Sequence, residues 1–295
     1  MHRISLTMVF GALVALVAAA PAAAVSAPVV QTVTKQVSVK QGKVTESKVF
    51  CPSSMAAISG TVVKQPSGAT LRRSLPSAVR SWRFAFGGFV GSKGKATVMV
   101  RCAALNVPAP AGKVKLNVNT VSRGFGVDAL SNATRTINCR SGYVPTGWGF
   151  DTPAPKATQD VVPAGETHIY EAISTRAGFA FGAENLGGDG SVVKVRVRCI
   201  EEKVAGKAGL SHRWRIKRER FKDRARSGVR TLSHACPAGY VSIGLGHAVA
   251  VKSDLVFRRS YDVRTGSARW VFDNGGKTDT VATQLLCLNM GTSFR

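Results

Sequence analysis

The sequence predicts an all-β fold of three four-stranded antiparallel repeats related by pseudo-threefold symmetry. Three observations point there. Six cysteines open and close three similar stretches: Cys51 and Cys102, Cys139 and Cys199, Cys236 and Cys287. The members of a pair lie 51 residues apart in the first and third stretches and 60 apart in the second. Within each stretch the same residue types recur in the same order, which marks an internal repeat. No segment after the leader shows a convincing long run of helical apolar periodicity.

Residues 1–27 read as a secretory leader, with Arg3, a short apolar run to Ala20, and small residues up to Ala27. The run is too short for a membrane span, which needs about 20 apolar residues. The repeats then occupy 28–104, 105–201 and 202–295. Each is expected to begin with an alternating strand: VTKQVSV from Val33, KVKLNVN from Lys113 and RWRIKRERF from Arg213. The second strand follows the opening cysteine and is small and Gly-rich: CPSSMAAISG, CRSGYVPTGWG and CPAGYVSIGLG. The third is aromatic, with Trp82, Phe84 and Phe86, then Phe179 and Phe181, then Trp270 and Phe272 placed at period two toward a core. Gly, Asn and Asp then supply hairpin-turn chemistry. The fourth strand is Val-rich or Leu-rich and ends in the closing cysteine. The same strands packed as a row of small β-sandwich modules are the alternative architecture.

Six cysteines behind a secretory leader read as disulfides, placing the protein outside the cell or on the exterior of the envelope. The repeats predict the pairs Cys51–Cys102, Cys139–Cys199 and Cys236–Cys287, each pinning the ends of one sheet. Closing a loop of this length contributes about 4 kcal/mol in the chain-entropy model.

Cys236-Pro237-Ala238-Gly239-Tyr240 and the TDTVATQLLC run from Thr278 resemble elements of the vitelline membrane outer layer protein family. The pattern is also similar to that of Cys-paired β-repeat proteins secreted by bacteria. The first resemblance implies a β-prism of three sheets and an extracellular binding or coat role. It transfers no functional residue.

The formal net charge is +25. A field of that sign attracts anionic polymers. The densest segment runs from His212 to Arg230 and holds Arg213, Arg215, Lys217, Arg218, Arg220, Lys222, Arg224, Arg226 and Arg230. These residues, with Trp214, form the candidate polyanion site, and Trp214 and Phe221 are placed to stack on a base or sugar. The competing reading is an edge strand whose charges block edge-to-edge pairing. Further basic stretches are Thr70–Arg83, expected as a loop holding Arg72, Arg73, Arg80 and Arg83, and Phe257–Arg264.

Catalytic patterns are absent from the sequence. There is no G-x-S-x-G elbow, no C-x-x-C pair and no histidine spacing for a metal, so no cofactor or metal is expected. Glu166, Glu171, Glu184 and Asp189 cluster in the second repeat, where turn acids more often serve hydrogen bonding than acid–base catalysis. The expected function is therefore non-enzymatic: a secreted protein binding anionic polymers or glycans of the envelope, including nucleic acid as a possible partner. A structural or coat protein of the extracellular surface is the alternative.

Overall fold

The computed structural model describes residues 30–88, 94–109, 112–152, 167–205, 211–250, 255–264, 266–276 and 278–289. The leader lies outside the described residues. The described chain is all β. Repeat one contributes β1 (Val30–Val39), β2 (Val44–Phe50), β3 (Met55–Lys64), β4 (Ala69–Ala78), β5 (Ser81–Gly88) and β6 (Gly94–Ala104). A ribbon of β7 (Asn106–Ala109) and β8 (Gly112–Lys115) follows. Repeat two holds β9 (Val118–Val127), β10 (Ser131–Asn138), β11 (Tyr143–Asp151), β12 (Thr167–Ser174), β13 (Gly178–Asn185) and β14 (Ser191–Glu201). A second ribbon joins β15 (Lys203–Ala205) and β16 (Ser211–Arg213). Repeat three holds β17 (Ile216–Ala225), β18 (Gly228–Ala235), β19 (Tyr240–Val249), β20 (Leu255–Arg264), β21 (Ser267–Asn274) and β22 (Asp279–Asn289).

The expected three-sheet prism of four-stranded repeats is not what forms. Each repeat has six strands divided between two sheets. The sheet orders are β1-β6-β3, β2-β5-β4-β11-β14-β9, β10-β13-β12-β19-β22-β17 and β18-β21-β20. These four sheets stand in a ring, as in a four-bladed β-propeller. Two strands per repeat escape the sequence pattern for physical reasons. The strands β2, β10 and β18 face water along most of their length, so they carry Ser, Thr, Asn and charge where an apolar alternation would be sought. In β4, Pro76 and the Arg72-Arg73 pair read as a loop, yet Pro76 sits beside a bulge where a missing N–H is tolerated. The KVKLNVN run is shared between β8 and β9 instead of forming one strand.

Each repeat is a small two-layer sandwich. The aromatic strand is the centre of one layer and the Cys-terminated strand the centre of the other. Trp82, Phe84, Phe86, Phe179, Phe181, Trp270 and Phe272 are all 0 % exposed between the layers. Neighbouring sandwiches share sheets, so they are not the independent modules of the alternative reading. The disulfides join Cys51–Cys102, Cys139–Cys199 and Cys236–Cys287. Each opening cysteine follows the outer strand of one layer, and its partner lies in the central strand of the other. The bond therefore staples two sheets face to face and does not pin the ends of one. Three such bonds suit an oxidising compartment, and no described helix is long and apolar enough to cross a membrane.

The Gly-rich strands meet at the middle of the ring. The strands β3, β11 and β19 each carry a bulge seven residues after the opening cysteine, at Ile58, Thr146 and Ile243. All three bulged residues are buried. The Thr146 hydroxyl donates to the Ile58 carbonyl at 3.2 Å and to the Arg198 carbonyl at 3.2 Å. Glycine follows the bulge at 147 and 244 because a Cβ at Gly147 would overlap the Ile58 carbonyl oxygen, and one at Gly244 the Thr146 carbonyl oxygen. Such glycines mark a close approach of backbones.

Two of the joints between repeats are zipped by pairing. Phe150 and Asp151 of β11 pair with Ser74 and Arg73 of β4, while Ala248 and His247 of β19 pair with Glu171 and Ala172 of β12. The approach needs Gly149 and Gly246, where a Cβ would overlap the Ser74 and Ala172 carbonyls. In repeat one the same position, ten residues after the opening cysteine, is Thr61. There β20 packs on β3, but among the described residues no ladder joins them. A β-branched side chain stands where the other joints have none, and the ring divides into four sheets at that point.

Candidate functional site

The basic segment folds as β17, the edge strand of its sheet, and its charges sort by face. Residues 217, 219, 221, 223 and 225 turn toward β18. Ala225 is buried there, and the Phe221 ring lies parallel to His234 at 3.8 Å between centroids. Asp223 accepts from His234 at 2.8 Å, and Lys217 pairs with Glu219 at 2.7 Å. That bond raises the Lys217 pKa above its usual value. The opposite face carries Arg218, Arg220, Lys222 and Arg224 in a row. Alternate residues of a strand repeat at about 6.6 Å, so the row is a linear array of cations. Arg224, Lys222 and Arg220 are exposed, as are Arg215, Arg226 and Arg230 beyond the strand ends.

Two expected members leave the exposed face. Trp214 is only 4 % exposed and belongs to the central core cluster, so it is chiefly a core residue, and what remains accessible of it lines the cleft beside the row. Phe221 is covered by His234. The side chain of Arg213 lies outside the described residues. Arg218 and Arg220 do double duty: Arg218 donates to the Ser174 hydroxyl at 3.2 Å and the Arg176 carbonyl at 3.0 Å, and Arg220 donates to the Ser174 carbonyl at 3.3 Å. They clasp repeat three to the β12–β13 turn of repeat two. Burial lowers the Arg218 pKa first, with Arg220 adding to the effect.

Beside this row a cleft of about 1070 Å³ opens between repeats two and three. Arg140, Arg176, Lys203, Arg215 and Arg218 line it against Glu201 and Glu202. Arg140 and Arg176 were not legible as partners of the basic segment. They sit on the loop after Cys139 and on the β12–β13 turn, distant in sequence.

Three arginines of the other basic stretches make structural contacts. The Thr70–Arg83 stretch is strand β4, its turn and the start of β5. Arg73 pairs with Asp151 at 3.0 Å and also with Glu46, and the Asp151 bond raises its pKa. Arg80 donates to the Cys51 carbonyl at 3.0 Å and the Pro52 carbonyl at 3.2 Å. Arg258 pairs with Asp273 at 2.6 Å. Glu166 lies outside the described residues. Glu171 faces Arg220, and its pKa is raised by burial against the pull of that cation. Asp189 lends its carbonyl to Asn185 at 2.7 Å.

A second concavity was invisible to the sequence. It holds about 390 Å³ in the middle of the ring and is lined by β3, β4, β11, β12, β13, β19 and β20, drawn from all three repeats. Trp148, Phe150, Tyr170 and Phe257 supply apolar walls, and Arg72, Arg258, Arg259 and Glu184 supply charge. The Trp148 indole N–H donates to the Leu245 carbonyl at 2.6 Å, which fixes the ring. Beneath Phe257, at 3.6 Å between centroids, lies His247. Complete burial pushes its pKa down to about 4, so it is neutral. Its Nε2–H donates to the Ile169 carbonyl at 3.2 Å. Among the described residues no three His, Cys, Asp or Glu side chains group as metal ligands.

No protein-family model matches the chain, and no curated protein matches it.

Proposed function

We propose that the protein is a secreted, non-enzymatic binder of linear anionic polymers, held along the outer face of β17 and the cleft beside it. The observation that carries this reading is the sorting of charge on β17. The acids and the aromatic ring of the strand turn inward, and four cations form one outward row that continues into a cleft rich in arginine. Envelope glycopolymers, acidic glycans and nucleic acid share the chemistry such a row takes, a regular line of phosphates or carboxylates. Binding of this kind is salt-dependent, because each neutralised phosphate releases counterions.

The test is elution from heparin resin together with titration of a DNA duplex over a salt series. About five or six neutralised phosphates give a slope of log K against log salt of about −5. Reversing Arg215, Lys222, Arg224 and Arg226 to Glu spares the clasps of Arg218 and Arg220. It is expected to abolish binding, whereas the same reversal at Arg123, Arg135, Lys194 and Lys48 is expected to weaken it slightly. Equal losses from the two sets would show that only global charge matters and would overturn the assignment.

The edge position of β17 favours one second reading, in which the row blunts a free sheet edge. In that case the first variant would self-associate while keeping its affinity for heparin.

A further inference from the structure

We propose that the central cavity is a binding site for a small planar carboxylic acid that also carries a hydroxyl group. This is a separate site from the basic face, and it rests on four features of the cavity.

The first is its size. About 390 Å³ lies within the range of small-molecule sites and is far more than a buried water needs. The second is its origin. At the other two joints the bridging strands zip together, but at the β3–β20 joint Thr61 replaces glycine, and the gap is lined by side chains of all three repeats. The third is the walls. Trp148 is held by its bond to Leu245, and Phe257 is held by its parallel stack on His247. Flat rings fixed in this way suit a flat ligand.

The fourth feature is polar and decides the ligand. Gln65 donates through Nε2 to the Ala69 carbonyl, which sets the orientation of its amide. Its Oε1 is then buried without a donor. Thr61 Oγ1 and Arg259 Nε are likewise buried without partners. A buried polar atom left unpaired costs about 1–3 kcal/mol, and a ligand that pairs it recovers part of that cost. Arg259 Nε requires an acceptor, and a carboxylate is the strong one. Gln65 Oε1 requires a donor, which a ligand hydroxyl supplies, and Thr61 can serve either group. Arg72, in the same wall, adds a second positive charge; Arg258 also lines the cavity but is paired with Asp273, and Glu184 is the one acid among the described lining residues. The balance suits a monoanion.

The probe is 6-hydroxy-2-naphthoate, followed by its own fluorescence on titration with the full chain. Two analogues accompany it, the methyl ester and 2-naphthoate. The hydroxy-acid is expected to bind at one site with a dissociation constant below about 1 mM. The ester is expected to lose at least tenfold, and 2-naphthoate severalfold. Arg259→Gln is expected to lose affinity for the acid and to leave that for the ester unchanged. Gln65→Leu is expected to erase the advantage of the hydroxyl. Both changes are small, and a thermal melt of each variant separates lost binding from lost folding. The variant reversed at Arg215, Lys222, Arg224 and Arg226 serves as a control and is expected to bind the probe normally. Failure there, with no loss on Arg259→Gln, would place the probe on the basic face and overturn the proposal. Equal binding of acid and ester, no binding of either, or an Arg259→Gln variant that binds like the parent overturns the proposal.

Discussion

The Thr146 hydroxyl donates to the Ile58 carbonyl across 3.2 Å, linking the bulge of repeat two to that of repeat one at the centre of the ring. Gly244 continues the series by seating its α-carbon on the Thr146 carbonyl. The centre is therefore backbone packed on backbone, with one hydroxyl as the tie. This is the role of the Gly-rich run after each opening cysteine.

A methyl group added at Gly244 has a carbonyl in its way. Gly244→Ala is expected to lower stability by about 3 kcal/mol, the upper end of overpacking costs. Gly126→Ala, on an exposed strand with open space around the α-carbon, is expected to be neutral or slightly stabilising. Urea unfolding of both variants checks the contrast, and equal effects would remove the close-approach argument.

Phe181 is 0 % exposed and meets Trp148 edge-on at 5.9 Å. Phe181→Ala is expected to cost about 3–5 kcal/mol. It should also shift the emission of Trp148, since the indole loses a wall. A loss under about 1 kcal/mol would mean that the sandwich interior is assigned to the wrong face of β13.

Leu130 has a φ of 51°, the left-handed region, and its side chain is 75 % exposed. It therefore has backbone strain and little packing to offset it. Leu130→Gly is expected to stabilise by about 0.5–1 kcal/mol, because glycine reaches that φ without the Cβ clash. A drop in melting temperature would contradict it.

His247 predicts a pH dependence with a definite sign. Its folded pKa is about 4, against an ordinary 6.5, so between these values the unfolded chain binds the proton more readily. Stability is complete above about pH 6.5 and falls as the pH drops toward 4. The loss levels off at about 3 kcal/mol, at 1.36 kcal/mol per pKa unit. In His247→Phe the stack on Phe257 is retained and the titration is gone. The difference in unfolding free energy between parent and variant should therefore vary over that window and stay flat above pH 7. A constant difference from pH 4 to 7 would show that the imidazole is not held neutral by burial.

Much of this protein was legible from residue order. Cysteine spacing supplied the three repeats and the pairing of the bonds. Period-two aromatics such as Phe84 and Phe181 supplied the buried faces, since a strand buried on one side must alternate. The density of Arg and Lys from 213 to 230 supplied the basic strand. Tertiary structure decided the rest. The strands β2, β10 and β18 face water and so carry no apolar signature, and their partners β4, β12 and β20 look like loops until they pair. That is why six strands per repeat read as four. The sorting of cations to one face of β17 depended on which face β18 covers, and the burial of Trp214 on its packing in the core cluster of repeat two. Arg140 and Arg176 joined the cleft through the packing of repeats two and three. The central cavity exists because one position among three equivalents, Thr61 beside Gly149 and Gly246, carries a side chain where two backbones would otherwise meet. The sequence shows that difference, but its consequence depends on what lies opposite in space.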